Sequence, residues 1–204
     1  AKIIGLGLVL HLLAFLLLDM EWFRPWGVLQ RIGLCFGAVG LLALMTRARA
    51  RWLLIASILL GYWGLLAAGG TFEPWINLAS RIDTALLGPM VYQFDPATGL
   101  GHEPEGLLST LPAIATTLLG LRAGEWLRRG ELKQLAYGGC IALVVGTLWS
   151  LVFPFNKNLW SSSFVLWTAG WAMLALVTCH VLIDRRRWPP VGRAFGINAI
   201  AAYV

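Results

Sequence analysis

Long apolar runs separated by short polar segments fill this sequence from end to end. They cover residues 3–18, 32–46, 52–68, 106–121, 135–153, 159–183 and 194–204. A helix needs roughly 20 residues to cross a bilayer core about 30 Å thick, and shorter runs suffice when interfacial residues extend the helix. Strand-like alternation is absent, and an open strand edge in lipid would leave backbone groups unpaired. The pattern therefore predicts an all-α fold: a polytopic transmembrane helix bundle with about seven spans in a single domain.

The composition indicates that lipid is the solvent of this chain. Hydrophobic residues make up 58% of the 204 residues, charged residues 13%, and the mean hydropathy is +0.73. Such a chain has too little polar surface to cover a water-soluble protein. The net charge of +6 could suggest nucleic acid, but that partner requires basic residues clustered on one solvated face. Here they lie between apolar runs, so membrane lipids and not nucleic acid are the expected partners.

The sequence carries no motif for metal or nucleophilic chemistry. Cys35, Cys140 and Cys179 lie inside apolar segments without a partner at metal-ligand spacing. A glycine-rich phosphate loop and a serine or cysteine nucleophile motif are also absent. We therefore predict no metal site.

The basic residues give the predicted spans a direction. With seven alternating spans, each of the 16 lysines and arginines lies on the side of the N-terminus except Arg24, Arg31, Arg81 and Lys157. Loops rich in lysine and arginine face the cytoplasm. The N-terminal side is therefore predicted to be cytoplasmic, and the opposite side is called the outer side below.

The two ends of the sequence indicate whether the first run is a membrane span and whether the chain is a fragment. The first run is followed by Asp19 and Glu21 instead of a small-residue cleavage site, which favours a span over a signal peptide. The last run continues to Val204 without a helix cap or a polar tail. We therefore expect the chain to be a fragment of a longer membrane protein, and a homo-oligomer is left open.

Three outer segments carry polar residues that a bilayer would not favour. The segment 69–105 is long for a loop, and long loops in compact proteins are usually functional or disordered. The other two are residues 25–31, which end in Gln30 and Arg31, and residues 154–163. Charged residues near membrane depth usually face a cavity or pair with one another. These segments together predict a polar pocket that opens outward.

Each polar residue also has a structural interpretation. Arg31 could extend to the interface or form an ion pair with an acid such as Glu105 or Asp83. Glu105 could simply be an acid at the N-terminus of the span that opens near Gly106, where the helix dipole favours it. Residues 156–158 could be a solvated turn.

The three histidines and the amide of Asn198 also have structural interpretations. His11 and His180 stand among apolar residues, which favours helix packing, and His102 is expected to be a loop histidine. Asn198 lies alone in the last apolar run and must find a partner. A hydrogen bond between helices and a ligand contact are both open for it.

Five ordered segments resemble the heparan-α-glucosaminide N-acetyltransferase family, which includes bacterial relatives of unassigned substrate. Residues 24–31 end in the family's Gly-Val-Leu-Gln-Arg, and residues 81–88 resemble its Ile-Asp-Arg-Leu-Leu-Leu-Gly segment. Residues 103–110 match its Pro-Glu-Gly-Leu-Leu-Ser-Thr, with Glu for Asp before the proline. Its Asn-Lys-Asn-Leu-Trp-Ser is present at residues 156–161, and residues 196–198 resemble its Gly-Met-Asn.

The resemblance implies transfer of an acetyl group from cytosolic acetyl-CoA to the amine of a glucosamine unit on the outer or lumenal side. Amine attack on a thioester requires a base, and the developing oxyanion requires donors. The residues implied as catalytic are Glu105 and Lys157. Those implied as substrate-binding are Gln30, Arg31, Asp83, Asn156, Asn158 and Asn198. The CoA phosphates would meet basic cytoplasmic ends, namely Arg47, Arg49, Arg51, Arg122 and Arg128, although orientation alone also explains these arginines.

The chain departs from the family at one point. The family's proposed catalytic histidine lies in an earlier segment that has no match here, and His11 does not stand in the matching context. The main alternative function is a transporter of amino sugars or cell-wall fragments, for which inverted repeats would be expected. A third is a non-catalytic membrane scaffold. A bacterial inner membrane is the expected location, because the outer loop carries no Asn-x-Ser/Thr sequon and no cysteine pair.

Overall fold

The computed structural model describes residues 2–18, 20–189 and 192 of the chain. Within them the chain forms seven α-helices and one two-stranded hairpin. The helices are α1 (Lys2–Leu17), α2 (Val28–Met45), α3 (Ala48–Ala68), α4 (Leu78–Leu87), α5 (Thr110–Arg128), α6 (Leu132–Trp149) and α7 (Ser162–Cys179), which a π-helical segment (His180–Arg185) continues. The strands are β1 (Gln93–Asp95) and β2 (Leu100–His102).

Helices lie over six of the seven predicted apolar runs. Four are long and apolar enough to cross a bilayer: α2, α3, α6, and α7 with its continuation to Arg185. The chain is therefore a mostly helical, multi-pass integral membrane protein. α1 is apolar but shorter, and α5 carries Arg122, Glu125 and Arg128 in its last two turns. The seventh predicted run, residues 194–204, lies outside the described residues, so the count of seven spans stays a prediction.

The long outer segment is folded and contains strands, which the sequence pattern did not predict. α4 begins at Asn77, whose side-chain oxygen accepts from the backbone N–H of Ser80 at 2.9 Å. β1 and β2 then pair antiparallel, with Gln93 opposite His102. Strands of three residues are too short for alternation to be visible in a sequence. The segment therefore forms a cap of one short helix and one hairpin.

The predicted start of the fourth apolar run, at Gly106, is wrong by about one helical turn. Residues 104–109 form successive turns, and α5 begins at Thr110. The carboxylate of Asp83 accepts from the backbone N–H of Leu107 at 2.8 Å, which holds these turns against α4. Glu105 therefore stands before the helix and not in its first turn.

Two apolar clusters hold the helices together. The larger one packs α2, α3, α5 and α7 around buried side chains such as Val39, Leu59 and Leu118. The smaller one lies beneath the outer segments and includes Tyr62 and Phe153. The hydroxyl of Tyr62 donates to the backbone carbonyl of Leu159 at 2.5 Å, which ties residues 154–163 to α3.

α6 and α7 make the closest helix contact, and glycines allow it. A Cβ built on Gly170 would lie 2.8 Å from the backbone oxygen of Gly139 and 2.7 Å from Cγ of Leu143. Gly146 lies equally close to α7, because its Cβ would stand 2.8 Å from the backbone nitrogen of Trp167. Small residues at such positions let helix backbones approach in a membrane.

Replacing Gly170 by alanine is expected to destabilise the protein by about 1–3 kcal/mol, the usual cost of overpacking a tight contact. Gly37→Ala is the matched control, because a Cβ at Gly37 meets nothing within 4 Å. Thermal unfolding of both variants in one detergent measures the difference. Equal midpoints for Gly170→Ala and the wild type would show that the α6–α7 contact is looser than described.

Candidate functional site

A buried ion pair joins the segment before α2 to the segment after β2. The carboxylate of Glu103 is fully buried and accepts from Nε of Arg24 at 2.9 Å and from Nη2 of the same residue. It also accepts from the backbone N–H groups of Tyr92 (2.9 Å) and Glu105 (3.2 Å). Burial raises the pKa of Glu103 above its ordinary value, and the Arg24 guanidinium opposes that shift.

Glu105 extends this pair into a chain of alternating charges. Its Oε2 accepts from Nη2 of Arg24 at 2.7 Å, and its Oε1 lies 3.9 Å from Nη2 of Arg31. Nη1 of Arg31 also donates to the backbone carbonyl of Pro104 at 3.2 Å. We call Arg24, Arg31, Glu103 and Glu105 the outer charge cluster. Arg31 therefore forms an ion pair with Glu105, which was one of the interpretations that the sequence left open. The interpretation of Glu105 as an acid at the N-terminus of a helix is wrong, because α5 begins at Thr110.

Trp160 covers the cluster from the side of α7. The guanidinium carbon of Arg31 lies 4.3 Å from the centre of the Trp160 ring, within cation–π range. The indole N–H of Trp160 donates to Oγ1 of Thr116 at 3.0 Å, which fixes the ring against α5. The cluster is therefore bounded by α2, the turns before α5, and the segment before α7.

The amide of Asn156 shapes the turn that carries Trp160. Its Oδ1 accepts from the backbone N–H groups of Asn158 (2.9 Å) and Leu159 (3.1 Å). Ser161 closes the turn, because its hydroxyl accepts from the backbone N–H of Asn156 at 3.0 Å. The side chains of Lys157 and Asn158 are exposed at the tip. The segment is a turn, as one of the sequence interpretations had it.

Asp83 is fully buried at the base of the outer cap. Its Oδ1 accepts from Leu107 N–H, while its Oδ2 has no hydrogen-bond partner among the described residues. A Cβ at Gly106 would overlap Oδ2, so only glycine fits at that position. Burial raises the pKa of Asp83 to about 6. Asp83 supports the turns that present Glu105, and no ion pair with Arg31 is found in the described part of the chain.

Gln30 faces away from its neighbour Arg31, toward α1. It is 3% exposed, and neither atom of its amide has a hydrogen-bond partner among residues 2–18 and 20–189. It lines a cavity of about 290 Å³ together with His11 and Arg24. The structure therefore brings Arg31 and Glu105 together, and places Gln30 on the other side of Arg24. Asn198 lies outside the described residues.

Two histidines differ from the sequence interpretation. His102 is buried in β2, where its Nδ1 lies 3.2 Å from Oγ of Ser80, and burial lowers its pKa. It is therefore not an exposed loop histidine. His180 does not pack between helices, because its Nδ1 lies 2.8 Å from the exposed carboxylate of Asp184.

Arg24 and Trp160 were missed as site residues. The sequence placed Arg24 on the outer side only as one of four basic residues there, and Trp160 only within the segment 156–161. A signal was available for Arg24, since it stands near the membrane surface and the outer segment offers Glu103 and Glu105. The sequence alone does not show which acid it would meet.

At the end opposite to the outer cap, which is predicted to be cytoplasmic, a second ion-pair group joins α3 to α5. Glu125 accepts from Nη1 of Arg51 at 2.5 Å and from Nη1 of Arg122 at 2.7 Å. Of the arginines predicted to meet phosphates, these two are therefore paired with an acid. The exposed ones are Arg47, Arg49 and Arg128.

Comparison with known proteins gives a distant relationship over nearly the whole chain. No family model matches the sequence. It is 27% identical to human heparan-alpha-glucosaminide N-acetyltransferase over 99% of this chain and 40% of that protein. The chain is a distant homologue of this acetyltransferase. The mouse acetyltransferase is 32% identical over 62% of this chain and 22% of its own length, so the chain spans less than half of either relative.

The homology to the acetyltransferase confirms the resemblance that the polar segments predicted. The outer charge cluster takes two residues, Arg24 and Arg31, from the first of those segments and two, Glu103 and Glu105, from the third. Trp160 comes from the fourth. Segments that are far apart in sequence thus meet in one place on the outer side.

Glu103→Gln is expected to destabilise the protein by about 1–3 kcal/mol, because it removes a fully buried carboxylate that accepts from Arg24, while Arg24 keeps Glu105 as a partner. Glu73→Gln is the control, since Glu73 is exposed in the same outer segment. The measurement is the unfolding midpoint of each purified variant in detergent. Equal midpoints for both variants would contradict the buried ion pair.

Asp83 is expected to make the folded chain less stable as the pH rises from about 4 to about 6. Its folded pKa of about 6 lies above the ordinary 3.8, so in this range the folded state holds a proton that the unfolded state has released. At about 1.4 kcal/mol per pKa unit, the loss is on the order of 3 kcal/mol. Asp83→Asn cannot titrate and keeps an oxygen for the N–H of Leu107.

The Asp83→Asn midpoint should therefore exceed the wild-type midpoint above pH 6 and approach it below pH 4. Asp95→Asn is the control, because the hydrogen bond from Thr98 lowers the pKa of Asp95 and gives the opposite sign. A variant at Asp83 whose midpoint follows the wild type at every pH would contradict the raised pKa.

Proposed function

We propose that this chain is part of a membrane acetyltransferase that moves an acetyl group from cytosolic acetyl-CoA to a glucosamine-type amine on the outer side. The observation that carries the proposal is the homology to heparan-alpha-glucosaminide N-acetyltransferase over 99% of the chain. Because the chain spans 40% of that protein, its activity and substrates remain proposals. The proposed location is the inner membrane of a bacterium.

A reaction between a cytosolic donor and an outer acceptor needs a route through the membrane. A cavity of about 420 Å³ lies between α5 and α7, with Thr116 and Trp160 at its outer end and Leu176 toward the cytoplasm. Along α7 it extends from Phe164 to Leu176, roughly 18 Å at 1.5 Å per residue. Its lining is mostly apolar, which suits the uncharged arm that carries the thioester of acetyl-CoA.

The charged end of the donor would stay at the cytoplasmic surface. The phosphates of acetyl-CoA are too costly to bring into the bilayer. The exposed Arg47, Arg49 and Arg128 are the better candidates to meet them, because Arg51 and Arg122 already pair with Glu125. The thioester would then lie near Trp160, beside the outer charge cluster.

On the outer side, the cluster offers one carboxylate that a sugar can reach. The side chain of Glu105 is 16% exposed, whereas that of Glu103 is fully buried. Glu105 would hold the ammonium of the acceptor and take up one of its protons, which frees the amine to attack the thioester carbonyl. The nitrogen of the resulting adduct then gives up a second proton. The C–S bond then breaks, the CoA thiolate takes up a proton, and the sugar is released as its N-acetyl amide.

The remaining site residues would bind the sugar or the oxyanion. Arg31 has its Nη2 3.9 Å from Oε1 of Glu105, and Lys157 is an exposed cation at the tip of the neighbouring turn. Gln30, Asn158 and, beyond the described residues, Asn198 are proposed to bind sugar hydroxyls. Asp83 and Asn156 would act by positioning, because their oxygens hold the turns that carry Glu105 and Trp160.

Transfer from a donor on one side of the membrane to an acceptor on the other side is tested with the full-length protein in proteoliposomes. Labelled acetyl-CoA is supplied on the side of the basic loops and glucosamine on the other side. The expected product is labelled N-acetylglucosamine on the glucosamine side, with one free CoA released per sugar. Glucosamine that crosses the membrane unmodified would instead support the transporter alternative.

Glu105→Gln is expected to lower kcat/KM by at least about 100-fold, the lower range for loss of an acid–base group. Its folding should be nearly intact, because Glu103 still partners Arg24. Glu73→Gln is the matched control in the same outer segment and should keep wild-type activity. Wild-type kinetics for Glu105→Gln would remove Glu105 from the reaction.

A further inference from the structure

The cavity between α1 and α2 contains an imidazole that the proposed reaction has not used, beside the amide of Gln30. We call it the His11–Gln30 cavity. It has a volume of about 290 Å³ and is lined by His11, Gln30, Arg24 and three apolar side chains. Ligand pockets usually occupy about 300–1,000 Å³, so it suits one small molecule or the end of a larger one.

One hydrogen bond selects the tautomer of the neutral His11 ring. Its Nδ1 lies 2.6 Å from the backbone carbonyl of Arg24. A carbonyl oxygen can only accept, so Nδ1 carries the hydrogen. In the neutral ring Nε2 is then a hydrogen-bond acceptor. His11 therefore presents a lone pair at a position that the backbone of Arg24 holds in place.

Two glycines make room for these side chains. A Cβ at Gly27 would lie 2.8 Å from Nε2 of His11 and 3.4 Å from Oε1 of Gln30. A Cβ at Gly7 would lie 2.6 Å from the same oxygen of Gln30. The imidazole and the amide therefore approach one point at Gly27 from two helices.

The amide of Gln30 shows that the cavity is not suited to a hydrocarbon chain. Both of its polar atoms are buried without a hydrogen-bond partner in the described part of the chain. An unsatisfied buried polar group costs about 1–3 kcal/mol. An occupant that both donates and accepts hydrogen bonds relieves this cost, whereas a lipid tail does not.

We propose that the His11–Gln30 cavity is a subsite for a hydroxyl- or amine-bearing group of the acceptor sugar. The group donates to Nε2 of His11 or Oε1 of Gln30, and accepts from the amide of Gln30. This inference rests on the proposed function for the identity of the ligand. Arg24 links the two places, since its guanidinium belongs to the outer charge cluster and its backbone carbonyl orients His11.

The test uses the full-length protein in nanodiscs and two readouts. Glucosamine binding is measured by calorimetry without acetyl-CoA, and KM and kcat for glucosamine are measured with saturating acetyl-CoA. His11→Asn can keep an N–H on the Arg24 carbonyl but removes the acceptor at Nε2. His11→Gln can restore an oxygen near the Nε2 position. Gly27→Ala fills the space beside the imidazole, and Gly5→Ala is its control, because a Cβ there meets nothing within 4 Å.

His11→Asn and Gly27→Ala are expected to weaken glucosamine binding and raise KM about three- to tenfold, with kcat little changed. The unfolding midpoint of His11→Asn should stay near the wild type, whereas Gly27→Ala should also lower it, because the added Cβ would overlap the His11 ring. His11→Gln should recover most of the affinity, and Gly5→Ala should match the wild type. If the wild type transfers acetyl groups and all four variants share its KM, the cavity holds only water or lipid and the subsite is overturned.

The experiment distinguishes a failure of the proposed subsite from a failure of the proposed transferase activity. The wild type could bind glucosamine without transferring acetyl groups. If the His11 and Gly27 variants then lose this binding, the subsite is supported and the transferase is overturned. A wild type that neither binds nor acetylates glucosamine would overturn both.

Discussion

The buried ion pair between Arg24 and Glu103 is the interaction on which the outer half of the molecule depends. Two charges taken out of water are costly, and the pair persists only because further hydrogen bonds satisfy the carboxylate. Its partners stand 79 residues apart in sequence. Their contact fixes the outer cap over the α1–α2 hairpin, and Glu105 and Arg31 meet as a consequence.

Around this pair, residues outside the outer charge cluster hold the residues of the cluster in place. Asp83 and Gly106 fit together so closely that the turns before α5 have one arrangement, and these turns carry Glu105. Tyr62 and Asn156 do the same for the segment that carries Trp160. A change at these residues would therefore act on the site through position and not through chemistry.

The sequence predicted those features that depend on local patterns. Apolar runs predicted the helices because hydropathy is summed along one element. An ion pair was one of the interpretations left open for Arg31, because a charge near the membrane usually faces a cavity or a partner. The pairing of Arg24 with Glu103 depends on how distant segments meet, which no local pattern contains. The role of Asn156 was hidden for a similar reason, since the sequence shows an amide but not that the turn already uses its oxygen.

We propose that acceptor and donor meet at the outer charge cluster, and that the donor reaches it through the cavity between α5 and α7. The most direct measurement is an experimental structure of the full-length protein with glucosamine and a non-transferable analogue of acetyl-CoA. We expect the sugar amine within hydrogen-bond distance of Glu105, the acyl arm beside Trp160, and the phosphates at the basic loops predicted to be cytoplasmic. A sugar bound away from the cluster, or a donor bound on the outer side, would contradict it.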